Sequence, residues 1–305
     1  MHSRKVYAVF ALVCSIFGTT FLAIRLGVTA GAPPFLFAGI RFTAAGAILA
    51  IALLASRRAT FSSLSALAPR AALLSLPYIV GNFGATFWAE QYIASGTAAQ
   101  IDAAAPIASA LLSVLFLKKR LSAGHILGTV AGFGGVWLIV RGMAGSGPVA
   151  SVAGGGNMAT LAGLVMLAGA VSFAGAGVLY KRLFDDKVDS FSVNALNMLF
   201  GGLGLMALAL ATGQRSFPMA AAALLPLAYL IVVGSLVGHS ANLWLVRKAG
   251  PLFTQSWSYV APVIATVVGA LALGERTGWH SLVGAGLTLG GVWLISRAEG
   301  RGRAA

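Results

Sequence analysis

Long apolar runs, separated by Gly, Pro or clusters of charge, divide the chain at residues 6–26, 34–55, 71–92, 97–117, 122–140, 159–180, 190–212, 224–246, 252–273 and 279–296. A helix rises about 1.5 Å per residue and a hydrocarbon core is about 30 Å thick, so each run predicts one transmembrane helix. Barrel strands would alternate apolar and polar positions over about ten residues. These runs are instead continuous and rich in Ala, Leu and Gly. Arg4 and Lys5 ahead of the first run resemble the start of a signal peptide. Val13 is too bulky for the residue before a cleavage point at Cys14, so the run is read as a first span.

Composition then removes the soluble classes. Of 305 residues, 58% are hydrophobic and 9% charged, where soluble domains carry about 25% charged residues. The net charge of +14 would suggest nucleic acid in a soluble protein, but its placement says otherwise. One set of alternate loops holds Arg4, Lys5, Arg57, Arg58, Arg70, Lys118, Lys119, Arg120, Lys181, Arg182, Lys187, Arg247, Lys248, Arg297, Arg301 and Arg303. The other set holds Arg25, counted there from the very end of the first run, with Arg141, Arg215 and Arg276, and Arg41 is the one cation left well inside a span. By the positive-inside rule both termini are expected in the cytoplasm, in a multi-pass protein of the cytoplasmic (inner) membrane. The basic surplus is thus a topology signal, with the lipid bilayer as partner and no nucleic acid. Cys14, the sole cysteine, allows no intrachain disulfide.

The longest connection, near 142–158, is rich in Gly, Ser, Ala and Pro and reads as an external linker. It separates two copies of one unit. Shifting the chain by 156 residues sets Ala105-Pro106 on Ala261-Pro262, Arg120 on Arg276, Gly128 on Gly284 and residues 134–139 on 290–295, with 13 identities in 37 positions over 105–141. Five spans is an odd number, so the second copy enters the membrane upside down. The expected fold is an all-α integral membrane protein of ten transmembrane helices in two inverted five-helix repeats. The units are 1–141, the linker 142–158, 159–297 and a cytoplasmic tail 298–305. Such a plan supplies two nearly equivalent packings, which is what alternating access requires.

Polar groups inside spans are costly, about 2.5–3.5 kcal/mol each when charged at a helix centre, and therefore mark chemistry. Arg41, Asp102 and Glu90 lie at comparable depth, which permits pairing. Arg41 is either a snorkelling or carboxylate-tied structural cation, or the group that fixes a carboxylate substrate. His239 and Asn242 share a helix face three residues apart. An imidazole's ordinary pKa lies near neutrality, so His239 joins Glu90 and Asp102 as a candidate proton carrier. Asn82, Ser172, Phe173, Phe17, Gln255, Ser258 and Tyr259 complete a candidate pocket suited to a zwitterionic or aromatic metabolite. Pro106 and Pro262 fall mid-span in matched positions, where each removes a backbone hydrogen bond and bends its helix. Glycines of spans five and ten, among them Gly128, Gly135, Gly284 and Gly291, read as close-packing scaffold. No metal-ligand cluster, nucleophile elbow or Walker motif occurs, so neither catalysis nor a cofactor is expected.

The stretches Asn242, Gly250-Pro251, Tyr259-Val260-Ala261-Pro262, Leu273-Gly274-Glu275-Arg276, Gly284 and Gly291-Val292 resemble an EamA domain of the drug/metabolite transporter superfamily. The first half resembles the same domain through Ala89-Glu90-Gln91-Tyr92, Ser95-Gly96, Pro106, Arg120, Gly128 and Gly135-Val136. The resemblance implies a ten-helix secondary transporter, an exporter of small metabolites such as amino acids, acting as a monomer or weak homo-oligomer, with proton coupling left open. Drug, toxic-compound or nucleoside efflux on the same fold is the alternative, with a channel or receptor-like membrane protein beyond it. One departure stands out: Lys119 occupies the place where the second copy has Glu275 and where the family usually has a glutamate.

Overall fold

The computed structural model describes residues 4–117, 123–143, 155–185, 188–249, 253–254, 256–276 and 278–302, and the regular elements among them are all helical. They are α1 (Arg4–Thr29), α2 (Pro34–Ala55), α3 (Phe61–Ala89), α4 (Ser95–Asp102), α5 (Ala105–Leu117), α6 (Ala123–Met143), α7 (Gly155–Leu183), α8 (Ser190–Ala211), α9 (Ala221–Ala249), α10 (Trp257–Leu273) and α11 (Trp279–Gly302). Six of them, α1, α2, α3, α7, α8 and α9, are long and apolar enough to cross a bilayer, and two shorter apolar helices lie at Ile126–Arg141 and Trp257–Leu273. The linker core, Lys118–Arg120, Lys187 and Gln255 lie outside the described residues.

Helix ends follow local chemistry. Pro34, whose missing N–H would have been unsatisfied anyway, opens α2. Thr60 and Ser63 form a reciprocal capping box before α3. Gly274 ends α10 at φ +63°, a left-handed turn that only glycine adopts without strain. Asp189 caps α8 through the Ser192 amide at 3.0 Å and pairs with Arg247 at 2.9 Å. Partial burial opposes its charge, but hydrogen bonds from Arg247 and Ser192 prevail and hold its pKa below the usual carboxylate range. Its stabilising contribution is thus fully present above the unfolded value near pH ~4 and fades as pH falls through the lower folded value. Asp189→Ala is expected to lower stability in detergent by about 1 kcal/mol through the lost cap. Arg247→Ala, which removes a half-exposed ion pair and the contact of Arg247 with the Phe191 ring, should cost about 0–1 kcal/mol, and equal costs in thermal melts would contradict this ranking.

The duplication is visible in the backbone. Residues Leu76–Phe83 of α3 and Leu230–His239 of α9 are both wound as π-helix, and the 156-residue shift lays one on the other. Such wide turns were not foreseen from sequence and are frequent at functional sites. Packing repeats as well: α6 pairs with α11 and α2 with α8, while α1 lies on α10 as α7 lies on α5. Glycines let backbones touch along the two self-paired seams. A Cβ on Gly135 would meet the Gly284 carbonyl, one on Gly284 would meet the Gly135 carbonyl, and one on Gly46 would meet the Leu199 amide.

Two expectations need correction. Pro106 does not bend a continuous span: the helix breaks at Ala103–Ala104, so Pro106 is the second residue of α5, where a missing N–H is harmless. Its counterpart Pro262 stays inside an unbroken α10. Arg25 is not a loop cation. It lies within α1, 8% exposed, and donates to the backbone carbonyl of Glu90.

Connections α1–α2, α3–α4 and α10–α11 gather at one end of the bundle, called distal here because it lies opposite the N-terminus. The Asp189–Arg247 pair marks the proximal end.

Candidate functional site

Between the repeats lies a cavity with about 870 Å³ of empty space, open solvent at its mouth included. Of the residues expected from sequence, Phe17, Arg41, Asn82, Asp102, Pro106, Phe173, His239, Asn242 and Ser258 line it together. They come from eight helices of both repeats.

Three named residues stand elsewhere. The Ser172 hydroxyl donates to the Pro77 carbonyl at 3.0 Å and so pins the π segment of α3. Tyr259, one position past Ser258, turns to the apolar cluster of Ile101, Ile139 and Met166. Glu90 is 0% exposed and lies outside the cavity, one turn beyond Thr86.

Arg41 is 1% exposed. Its Nε donates to Ser235 Oγ at 3.0 Å, and its guanidinium carbon stands 4.6 Å from the Phe42 ring centre and 5.5 Å from that of Phe83. The expected pairing with Asp102 is not formed: the described ion pair is Arg247–Asp189. Physically, Ser235 and the phenyl faces hold the guanidinium against its own wall, and cation–π attraction replaces part of its lost hydration. One terminal nitrogen, Nη1, has no protein partner.

Asp102 is the last residue of α4, facing the first turn of α5 across the break. A carboxylate opposes the negative end of α4 and suits the positive end of α5, so the break lets an acidic group stand inside the bundle. Pro262 has no N–H, which leaves the carbonyl of Ser258 without the usual donor four residues ahead, and the break after Asp102 leaves that carbonyl at a helix end. Side-chain oxygens of Asn82, Asn242 and Ser258 likewise have no protein partner. The cavity therefore presents one cation, one carboxyl and several hydrogen-bonding groups that folding leaves unsatisfied.

Aromatic rings form the remaining wall. Phe17 packs edge-on to Trp257 at 4.7 Å and to His239 at 5.6 Å, and Tyr78 leans on Phe173 at 5.2 Å. Sequence reading missed Thr20, Phe21, Ile24, Tyr78, Phe83, Thr86 and Trp257, all of which line the cavity. Part of the signal was present: 17, 20, 21 and 24 on α1 follow the i, i+3, i+4, i+7 stripe of one helix face, whereas 78, 82, 83 and 86 on α3 follow the wider i, i+4, i+5, i+8 spacing of a segment wound partly as π-helix. Ser235, which orients Arg41, left no such trace.

A membrane bundle of two repeats, closing on a cavity with mixed polar and aromatic lining, defines a small-molecule carrier. The EamA-like transporter family model matches residues 4–141 and 160–297, two stretches displaced by the same 156 residues found within the chain. The chain belongs to the EamA-like transporter family and is a membrane transporter of small molecules. It is 29% identical over 292 residues to the uncharacterized inner membrane transporter YedA of Escherichia coli (strain K12), covering 95% of this chain and 89% of that one. A protein of Streptantibioticus cattleyicolor described as a probable terminal-alkyne amino-acid exporter is 30% identical over 303 residues, covering 95% and 93%. A crystal structure 23% identical to the chain superposes with a TM-score of 0.63 over 98% of this chain and 99% of that one, a likeness of fold.

Proposed function

We propose that this transporter exports zwitterionic metabolites of the apolar or aromatic α-amino acid kind by alternating access, with the central cavity as the binding site. The observation that carries this reading is the unpartnered Nη1 of Arg41 in a cavity that also holds Asp102 and an aromatic wall. The guanidinium suits the carboxylate, the Asp102 carboxyl suits the ammonium, and Phe17, Phe173 and Trp257 suit the side chain. Amino-acid export in the name of the Streptantibioticus relative supports the same class. Charge placement puts the termini in the cytoplasm and makes the distal end external. The binding cavity is built by one chain, so a monomer suffices as the transport unit.

Counterflow in proteoliposomes, across amino acids and nucleosides and with and without a pH gradient, tests the reading. Saturable exchange of bulky apolar α-amino acids is expected. Cysteines at Asn82 and Asn242, in a Cys14→Ala background, should react with small water-soluble thiol reagents and be shielded by the exchanged substrate. Exchange confined to nucleosides would move the substrate class, and conduction without saturation would make the protein a channel.

A further inference from the structure

At the distal end the two repeats are tied by a side chain that acts as a helix cap in trans. Helix α4 has no capping side chain of its own at Ala94. Glu275, set in the α10–α11 connection by the turn at Gly274, accepts from the Ser95 amide at 3.0 Å, the Ser95 hydroxyl at 2.8 Å and the Gly96 amide at 3.4 Å. Below it Gln100 donates to Thr266 and accepts from Ser281, both at 3.1 Å. Every tie joins repeat one to repeat two, as a closed gate requires.

The repeat shift sends Glu275, Gln100, Thr266 and Ser281 onto Lys119, Ser256, Ala110 and His125. A lysine ammonium cannot accept from helix N–H groups. The capping chemistry is therefore written into one end of the sequence only.

Glu90 lies beside this latch and is explained by none of it. It is 0% exposed and neither carboxyl oxygen has a protein partner. The charged groups facing it are Arg25 of α1, Arg41 of α2 and Glu275 of the α10–α11 connection. On α7 the titratable groups Tyr180, Lys181 and Arg182 stand at the opposite end. Arg25 is committed to the Glu90 backbone carbonyl, and Arg41 to Ser235 and the phenyl faces. An ionised carboxylate without hydrogen-bond donors, excluded from water and beside a second carboxylate, costs several kcal/mol in the closed bundle. A proton removes that cost, and so does opening the distal end to water.

We propose that Glu90 is a proton-binding site linked to the distal gate: the Glu275 latch shuts over Glu90 with a proton on its carboxyl, and opening returns that proton to water. Linkage then fixes the sign, since whatever binds the closed form favours it. Acid closes the gate and alkali opens it. Control by Glu275 would have the reverse sign, because protonating the cap weakens the latch.

The inference rests on alternating access but not on the identity of the cargo, and its test uses no substrate. Spin labels at Gln91→Cys and Gly278→Cys, in a Cys14→Ala background in lipid nanodiscs, report the width of the distal end. The long-distance population should grow relative to the short one with rising pH, by up to about tenfold per pH unit for one linked proton. Glu90→Gln should hold the short distance at every pH, whereas Asp102→Asn and His239→Gln should keep the wild-type slope. A wild-type slope of opposite sign, or one that survives Glu90→Gln, overturns the proposal without any variant having to be especially stable. Glu275→Ala separates the two failures. Opening in that variant with no pH response in the wild type overturns the proton site alone, and a distal end that never widens overturns alternating access with it.

Discussion

Arg41→Gln is expected to fold and to lose most of its affinity for substrates that carry a carboxylate. A charge-assisted hydrogen bond is worth about 1.5–3 kcal/mol, so binding should weaken by roughly tenfold to somewhat over a hundredfold. Folding should survive because Arg41 is not the counter-ion of Asp102; its protein hydrogen bond goes to the neutral hydroxyl of Ser235. Arg41→Lys keeps a charge but loses the planar fork and its stacking on Phe42 and Phe83, so it should restore only part of the affinity. Ser235→Ala frees the guanidinium from one wall and should give a smaller loss. Asp102→Asn should act on the other end of the substrate, harming α-amino acids more than simple carboxylates. Binding titrations on purified protein separate these cases. Unchanged affinity in Arg41→Gln for every carboxylated compound would sink the assigned role.

Gly135→Val is expected to have the largest effect on folding. Its Cβ would fall 2.5 Å from the Gly284 carbonyl oxygen and 2.7 Å from the Thr288 amide, backbone atoms that cannot turn aside. Overpacking costs about 1–3 kcal/mol even where flexible side chains can yield, so a clash with backbone should reach or exceed the top of that range. Gly134→Val is the control, since a Cβ there meets nothing within 4 Å. The first variant should aggregate or lose tens of per cent of its monodisperse yield while the second purifies as wild type. Equal behaviour would mean that α6 and α11 are not as closely apposed as described. The seam joins the two repeats, since α6 belongs to the first and α11 to the second.

Much of the architecture was legible in the sequence because the bilayer constrains it. A span must be apolar for about 20 residues, and loop cations sort by side, so length, hydropathy and charge together predict the spans and an orientation. The duplication was legible because both copies keep the same close-packing glycines and the same prolines. Nine of the named pocket residues converge for a related reason: a polar group inside a span needs a cavity or a partner, and the repeat interface offers the cavity.

Partnership was not legible, because it depends on which side chains face each other across helices far apart in sequence. Depth alone suggested Arg41 with Asp102, and the bundle instead gave Arg41 to Ser235, 194 residues away. Arg25 looked like a loop cation because its position near a span end fits either side of the boundary, and only packing against Glu90 buried it. The break in the fourth span depended on how α4 and α5 are held by their neighbours, since Pro262, in the same local sequence Ala-Pro, sits in a continuous helix. Sequence by itself determined that the chain lies in a membrane, that it is built twice over, and which few residues are too polar to be there without a reason. Tertiary structure alone decided what those reasons are, because the energy of a buried polar group is set by the atoms brought against it and not by its neighbours along the chain.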